Sequence, residues 1–236
     1  MSLVPGIPKV EYNSAMIRAL VFDFDGLILD TETPELRAWQ QMYREHGSEL
    51  PIKVWADCIG RPHGYFDPYA YLEGLSGRRV DREAMRIRRR AISRGLLAKE
   101  GSMPGVETYL RQAREMGLKA AVASSSTTEW VRGHLDRLGL TQWFHSFTCA
   151  EHTTTHKPEA EPYLCAVRSL GVAASEAMAL EDSPNGVKSA KAAGLYCVAV
   201  PNFVTGMLDL SEADLVLPSL EAMPLGDLLR QIEASR

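Results

Sequence analysis

Asp23 and Asp25 stand two positions apart, and Gly26 follows the second of them. A glycine there suits a tight turn that aims both carboxylates at one point. Like charges held that close repel, so either a cation neutralises them or one carboxyl keeps its proton. Glu181-Asp182-Ser183 is a second acidic pair, and Ser124-Ser125-Ser126 is a run of hydroxyl donors. Lys157-Pro158 lies between the last two sets, and a lysine can pair with phosphate as a point charge. Carboxylate oxygens with no clustered Cys or His call for a hard cation, magnesium above all.

Each acidic or serine set comes directly after a short apolar run. The runs are Ile17–Phe22, Leu118–Ala123 and Ala177–Leu180, with Tyr196–Val200 and a weaker Phe147–Ala150 besides. Continuous apolar runs without alternation predict strands of a parallel sheet covered on both faces. Helical patterns at Val106–Met116, Glu129–Leu138, Pro162–Leu170 and Val187–Ala193 separate them, each closed by a glycine. This alternation predicts a doubly wound, Rossmann-like α/β core. One acidic residue at a strand end is ordinary solvation, and one serine triplet is an ordinary loop. All of them at the same edge of one sheet predict a site.

The alternation fails between residue 33 and about residue 100, where the pattern is helical throughout. Thr33-Pro34 predicts a helix start before Glu35–His46, and Asp67–Glu73 and Asp81–Leu97 are further helices. The expected organisation is a core of residues 1–32 and 102–236 with an all-helical cap, 33–101, inserted as a lid.

The run Asp23-Phe24-Asp25-Gly26-Leu27-Ile28-Leu29-Asp30-Thr31-Glu32 resembles the first motif of the haloacid dehalogenase-like superfamily. Ala121–Ser126, Lys157-Pro158 and Glu181–Gly186 are similar to its second, third and fourth motifs, in order. The helical insert is similar to the cap of the β-phosphoglucomutase-like phosphatase subgroup, and the likeness spans residue 17 to about 200. The resemblance implies that Asp23 attacks phosphorus and that Asp25 acts as acid and then base. It implies Mg2+ held by Asp23, Asp182, Glu181 and the main chain of Asp25. Ser124 and the Ser125 amide would bind phosphoryl oxygens, with Lys157 between these and Asp23. True haloacid dehalogenases lack the second aspartate, so Asp25 speaks against carbon–halogen cleavage.

Arginine is dense in the insert, and most of it reads as a solvated face. At 100° per residue Arg88 falls inside the arc of Ala84, Met85, Ile87, Ala91, Ile92 and Leu96, with Arg89 just past its edge. Arg88 is therefore the expected contact to a second polar group of the substrate, with Arg61 and His63 of a possible substrate loop behind it. Glu35 is a further candidate in the cap. Many relatives, the sugar phosphomutases included, carry histidine at that position, so Glu35 favours hydrolysis over mutase chemistry. His152 and His156 have i, i+4 spacing but sit in a β-branched segment running into proline, which reads as a loop rather than a zinc site.

The expected activity is Mg2+-dependent hydrolysis of a small-molecule phosphomonoester, with a phosphomutase as the alternative and a non-catalytic phosphate-binding regulator as the rival from another class. The chain has 236 residues, 45% hydrophobic and 24% charged, and a net charge of −4. That balance suits a globular protein and gives no case for nucleic acid or an acidic membrane as partner. Four scattered cysteines suggest free thiols, and the N-terminal stretch has no long apolar run. A cytoplasmic monomer or weak homo-oligomer is expected.

Overall fold

The structure, a computed structural model, describes residues 16–59 and 65–235. Its centre is strand β1, Ala19–Phe22. The helices of the insert follow: α1 (Glu32–Glu45), α2 (Ile52–Ala56), α3 (Pro68–Ser76) and α4 (Arg82–Leu97). Helix α5 (Val106–Glu115) leads into β2 (Lys119–Ala123), α6 (Thr128–Leu138), β3 (Ser146–Thr148) and α7 (Glu161–Leu170). The chain then runs through β4 (Ala177–Glu181), α8 (Pro184–Ala192), β5 (Tyr196–Ala199), β6 (Leu215–Val216) and α9 (Leu225–Ser235).

The strands lie in the order β3-β2-β1-β4-β5-β6, and every pairing is parallel. Strand β1 shows why its sequence is apolar throughout. Leu20 and Phe22 join the cluster under α5, α6 and α9, while Ala19 and Val21 join the one under α7 and α8. Both faces are covered, so neither has room for polar alternation. The order of connection reverses between β1 and β4, the switch point where open sheets bind ligands beyond the carboxyl ends of their strands.

Helices α1 to α4 bury a third cluster around Trp39, Tyr43, Leu50, Leu72 and Met85. Val204 and Leu208, from the loop after β5, pack into the same cluster, so the insert rests on the rim of the sheet. Helix α1 starts earlier than Thr33-Pro34 suggests. It begins at Glu32, because the Asp30 carboxylate accepts the Thr33 amide at 2.9 Å and starts the turn ahead of the proline. Helices α2 and α9 and strand β6 are additions to the elements read from the sequence. Among the described residues, no helix is long and apolar enough to cross a membrane.

Candidate active site

The register of β1 places Asp23 one residue beyond Phe22, which is level with Val122 of β2 and Leu180 of β4. The Asp23 amide donates to the Leu180 carbonyl at 2.9 Å, carrying the ladder one step past the strand. Asp23 thus stands between Ser124, just past β2, and Glu181-Asp182 at the end of β4. Gly26 makes the turn with φ +90°, and a Cβ there would collide with the Asp182 carboxylate and lie 2.7 Å from Asn202 Nδ2. Only glycine brings the turn this close to Asp182.

A cleft of about 770 Å³ opens over these strand ends. Asp23, Asp25, Ser124, Ser125, Lys157 and Asp182 all line it. Lys157 Nζ donates to Asp23 Oδ1, and to Glu181 Oε1 at 2.5 Å. Glu181 is fully buried and heavily engaged. Its Oε1 also accepts the Tyr163 hydroxyl at 2.7 Å, and its Oε2 accepts the amides of Asp182 and Ser183 at 3.1 and 3.3 Å. A Cβ at Gly186 would overlap that carboxylate, so the first turn of α8 closes over Glu181 because residue 186 has no side chain.

Oxygens of Asp23, Glu181 and Asp182 lie within 4.8 Å of one another, all buried. Three carboxyls face one ammonium there, an excess of negative charge in a low-dielectric place. Burial pushes the Asp23 carboxyl up to about 8 against the pull of Lys157, with Glu181 adding to the rise. Burial raises Asp182 as well, and Asp23 and Glu181 push the same way. Burial by itself would lower the Lys157 ammonium, but Asp23 and Glu181 outweigh it and hold it above the ordinary lysine range. An all-oxygen donor set with unneutralised charge fits a hard divalent cation. Glu181 spends most of its acceptor capacity on Lys157, Tyr163 and its own turn.

Several residues stand here to which the sequence assigned no role. Asn202, just past β5, donates to Asp182 Oδ2 at 2.8 Å and to the Gly26 carbonyl at 3.2 Å. Glu32 lines the cleft, and burial next to Asp25 and Asp30 pushes it up to about 7. His156 is a cleft wall, and the His152 ring accepts the Cys149 amide at 2.9 Å. Ser126 and Trp130 both donate to Asp25. The position of Asn202 at a strand end was the one available signal.

The insert differs from expectation in its arginines. Arg88 is 60% exposed and pairs with Glu45 at 2.6 Å, whereas Arg89 is only 14% exposed. Arg89 lies over the Trp39 ring, 5.1 Å from its centroid, and pairs with Glu35. The buried face of α4 runs through Met85, Arg89 and Leu97, while Ile87 is 59% exposed. The arc drawn from Ile87 and Ala91 is displaced by about one residue, or 100°, because a buried arginine stacked on tryptophan takes the place of an apolar side chain. Neither Arg88 nor Glu35 forms a wall of the cleft. Arg61 and His63 lie outside the described residues.

A doubly wound sheet whose acidic strand ends face a cleft beneath a helical insert defines a class of α/β hydrolases. The chain belongs to the haloacid dehalogenase-like hydrolase family, whose sequence model matches residues 20–200. It is 45% identical to YhcW of Bacillus subtilis (strain 168), a protein designated a phosphatase, over 93% of this chain and 99% of that one. Hexitol phosphatase A of Escherichia coli (strain K12) is 30% identical over 91% of this chain and 99% of its own length. Among solved structures, CbbY from Rhodobacter sphaeroides in complex with phosphate superposes with a TM-score of 0.65 and 25% identity, covering 87% of this chain and 95% of that one. The chain is a phosphatase of this family.

Proposed function

We propose that this enzyme hydrolyses a small-molecule phosphomonoester, of the sugar or sugar-alcohol class, through an aspartyl-phosphate on Asp23. The observation that carries the reading is the placement of Asp23. It is buried at the switch point, held by Lys157, and shares its cleft with Asp25, Ser124, Ser125 and Asp182. The likeness to hexitol phosphatase A supports the substrate class.

Asp23, Asp182 and Glu181, with the main-chain carbonyl of Asp25, would hold magnesium. The ion would supply Lewis-acid neutralisation of phosphoryl charge and would offset the excess of carboxylates at the strand ends. An Asp23 oxygen bonds to phosphorus while the bond to the leaving oxygen breaks, and Asp25 gives that oxygen a proton. Water then attacks the same phosphorus, the Asp23–phosphorus bond breaks, and Asp25 takes the water's proton. Ser124 and the Ser125 amide fix the phosphoryl oxygens, and Lys157 offsets charge on Asp23. The insert closes over the cleft and reads the rest of the substrate. Glu35 stands where the sugar phosphomutases carry histidine and is engaged by Arg89, so it brings no imidazolium to a second sugar hydroxyl and water is the expected acceptor.

A magnesium-supplemented screen of sugar, sugar-alcohol and nucleotide phosphates tests the reading. Phosphate release should vanish in excess chelator. Asp23→Asn should lower kcat by roughly 10⁴-fold or more, as loss of a nucleophile does, with an unchanged Tm. Turnover by that variant within tenfold of wild type would refute the nucleophile. With β-glucose 1-phosphate and a trace of the 1,6-bisphosphate, glucose 6-phosphate appearing faster than free phosphate would make the enzyme a mutase.

A further inference from the structure

The proposed reaction asks most of Asp25, which must donate one proton and accept another. In this structure its carboxylate is clamped from behind. Oδ1 accepts the indole N–H of Trp130 at 2.9 Å, and Oδ2 accepts the Ser126 hydroxyl at 2.6 Å. Ser124 Oγ lies 3.5 Å from that same Oδ2, and it accepts the Ser126 amide at 3.0 Å. The two serines and Asp25 therefore form one connected set.

Trp130 occupies the first turn of α6. The Thr127 side chain that caps this helix accepts the Trp130 amide at 3.3 Å, so the cap also fixes where the indole starts from. The ring stands edge-on to His134 with centroids 4.4 Å apart, and the residue is 37% exposed. It belongs to neither apolar cluster of the sheet. A tryptophan that fills no core, yet turns its N–H inward onto a carboxylate beside the nucleophile, needs a reason other than packing.

We propose that Trp130 is a positioning residue for Asp25, and that with Ser126 it decides which oxygen of Asp25 exchanges the proton. The inference rests on the acid–base reading of Asp25. An indole N–H can only donate, so Oδ1 must stay an acceptor. A serine hydroxyl donates or accepts, so Ser126 suits Oδ2 with or without a proton. The exchangeable proton is thereby confined to Oδ2, the oxygen on the Ser124 side, where the phosphoryl group is to sit. In the first step the proton leaves Oδ2 for the leaving oxygen as the phosphorus–oxygen bond breaks. In the second, Oδ2 receives a proton from the attacking water as the Asp23–phosphorus bond breaks.

The test exploits the leaving group. A p-nitrophenolate departs with little need of a proton, whereas an alkoxide needs one. The comparison uses kcat/KM, which reports the step that expels the leaving group. Its substrates are p-nitrophenyl phosphate and the best alkyl phosphate from the screen. Trp130→Phe keeps an aromatic ring beside His134 and removes the N–H together with the five-membered ring that carries it. It should lose roughly tenfold or more on the alkyl phosphate, chiefly in kcat, and less than about threefold on the aryl one. Ser126→Ala should lean the same way. Asp25→Asn should show the same selectivity at about 10²–10⁴-fold. Equal losses on both substrates, or none, in folded Trp130→Phe would overturn the positioning role while leaving Asp25 as the acid. Equal losses on both substrates in Asp25→Asn would instead overturn the acid–base reading itself. If Trp130→Phe fails to fold, Trp130→Leu, which also lacks a donor, decides by the same criterion.

Discussion

The strand ends and the helical insert both carry dense charge, but they hold it in different ways. At the strand ends Lys157, Asp23 and Glu181 are 8%, 9% and 0% exposed, and each touches another member of the cluster. In the insert the ion pairs are separate and mostly wet: Arg82 with Asp67 and Glu73, Arg86 with Glu83, Arg88 with Glu45. Among the described residues of the insert, the Arg89–Glu35 pair, at 14% and 28%, is the one with both members well shielded. Desolvated charges without partners are costly, and exposed pairs contribute little. The core cluster thus holds its charge dry and interlocked, and the insert holds most of its charge in water as exposed pairs.

That contrast is broken most directly at Lys157. Lys157→Met leaves Asp23, Glu181 and Asp182 without their cation and should cost roughly 3–5 kcal/mol in chelator, as loss of one partner of a buried pair does. The loss should shrink in acid, where the carboxyls take up protons. Urea unfolding at pH 5 and pH 8 measures both. An equal midpoint for variant and wild type at pH 8 would mean that the cluster is electrostatically wet.

Glu32 stands where the two regions meet, at the start of α1 and on the wall of the cleft. Its folded-state value, about 7, lies above its ordinary 4.5, so the folded protein prefers the neutral carboxyl. The associated stability is fully present below about pH 4.5 and is lost as pH rises through 7. Glu32→Gln cannot ionise, so in chelator it should gain on wild type across that window by roughly 1–3 kcal/mol. A difference in stability that stays flat from pH 4 to pH 8 would rule out a half-buried, charge-crowded Glu32.

The difference between the regions also governs what could be read from the sequence. At a strand end, direction is nearly fixed. A carboxylate one residue past β1 must emerge beside those past β2 and β4, because parallel strands share one edge. Asp23, Ser124 and Asp182 were legible for that reason. On a helix, direction turns 100° per residue, and the choice between Arg88 and Arg89 hangs on which side chain packs inward. The stacking of Arg89 on Trp39 lies 50 positions apart in sequence and left no local sign. Trp130 was hidden differently, since an aromatic in a first helical turn reads as packing. Helix α9 is the opposite case, legible yet not read: Leu225, Leu228, Leu229 and Ile232 carry the i, i+3, i+4, i+7 signature.

Within the insert the contrast sharpens to a single step along α4. The Arg89–Glu35 pair joins α4 to the first turn of α1, and the Arg89 Nε is buried without a partner. A double-mutant cycle of Arg89→Met and Glu35→Gln should give a coupling of about 1–2 kcal/mol, above the range of exposed pairs. Coupling below about 0.3 kcal/mol would remove the distinction between this pair and its wet neighbours.

The smallest effect belongs one residue away. Arg88 makes two bonds to Glu45, from Nε at 2.9 Å and from Nη2 at 2.6 Å. Those bonds and the Arg88 charge hold the Glu45 carboxyl down to about 2. The guanidinium is nevertheless 60% exposed, so water and salt screen the attraction, and ordering two long side chains takes back part of the gain. The cycle of Arg88→Ala with Glu45→Gln should therefore couple by less than about 0.5 kcal/mol, and less again in 1 M salt. Arg88 is also no wall of the cleft, so Arg88→Ala should leave the ratio of kcat/KM for alkyl and aryl phosphates unchanged. A fall in that ratio at constant Tm would mean that closure of the insert brings Arg88 over the substrate. The division between a chemical core and a solvating surface would then end at α4.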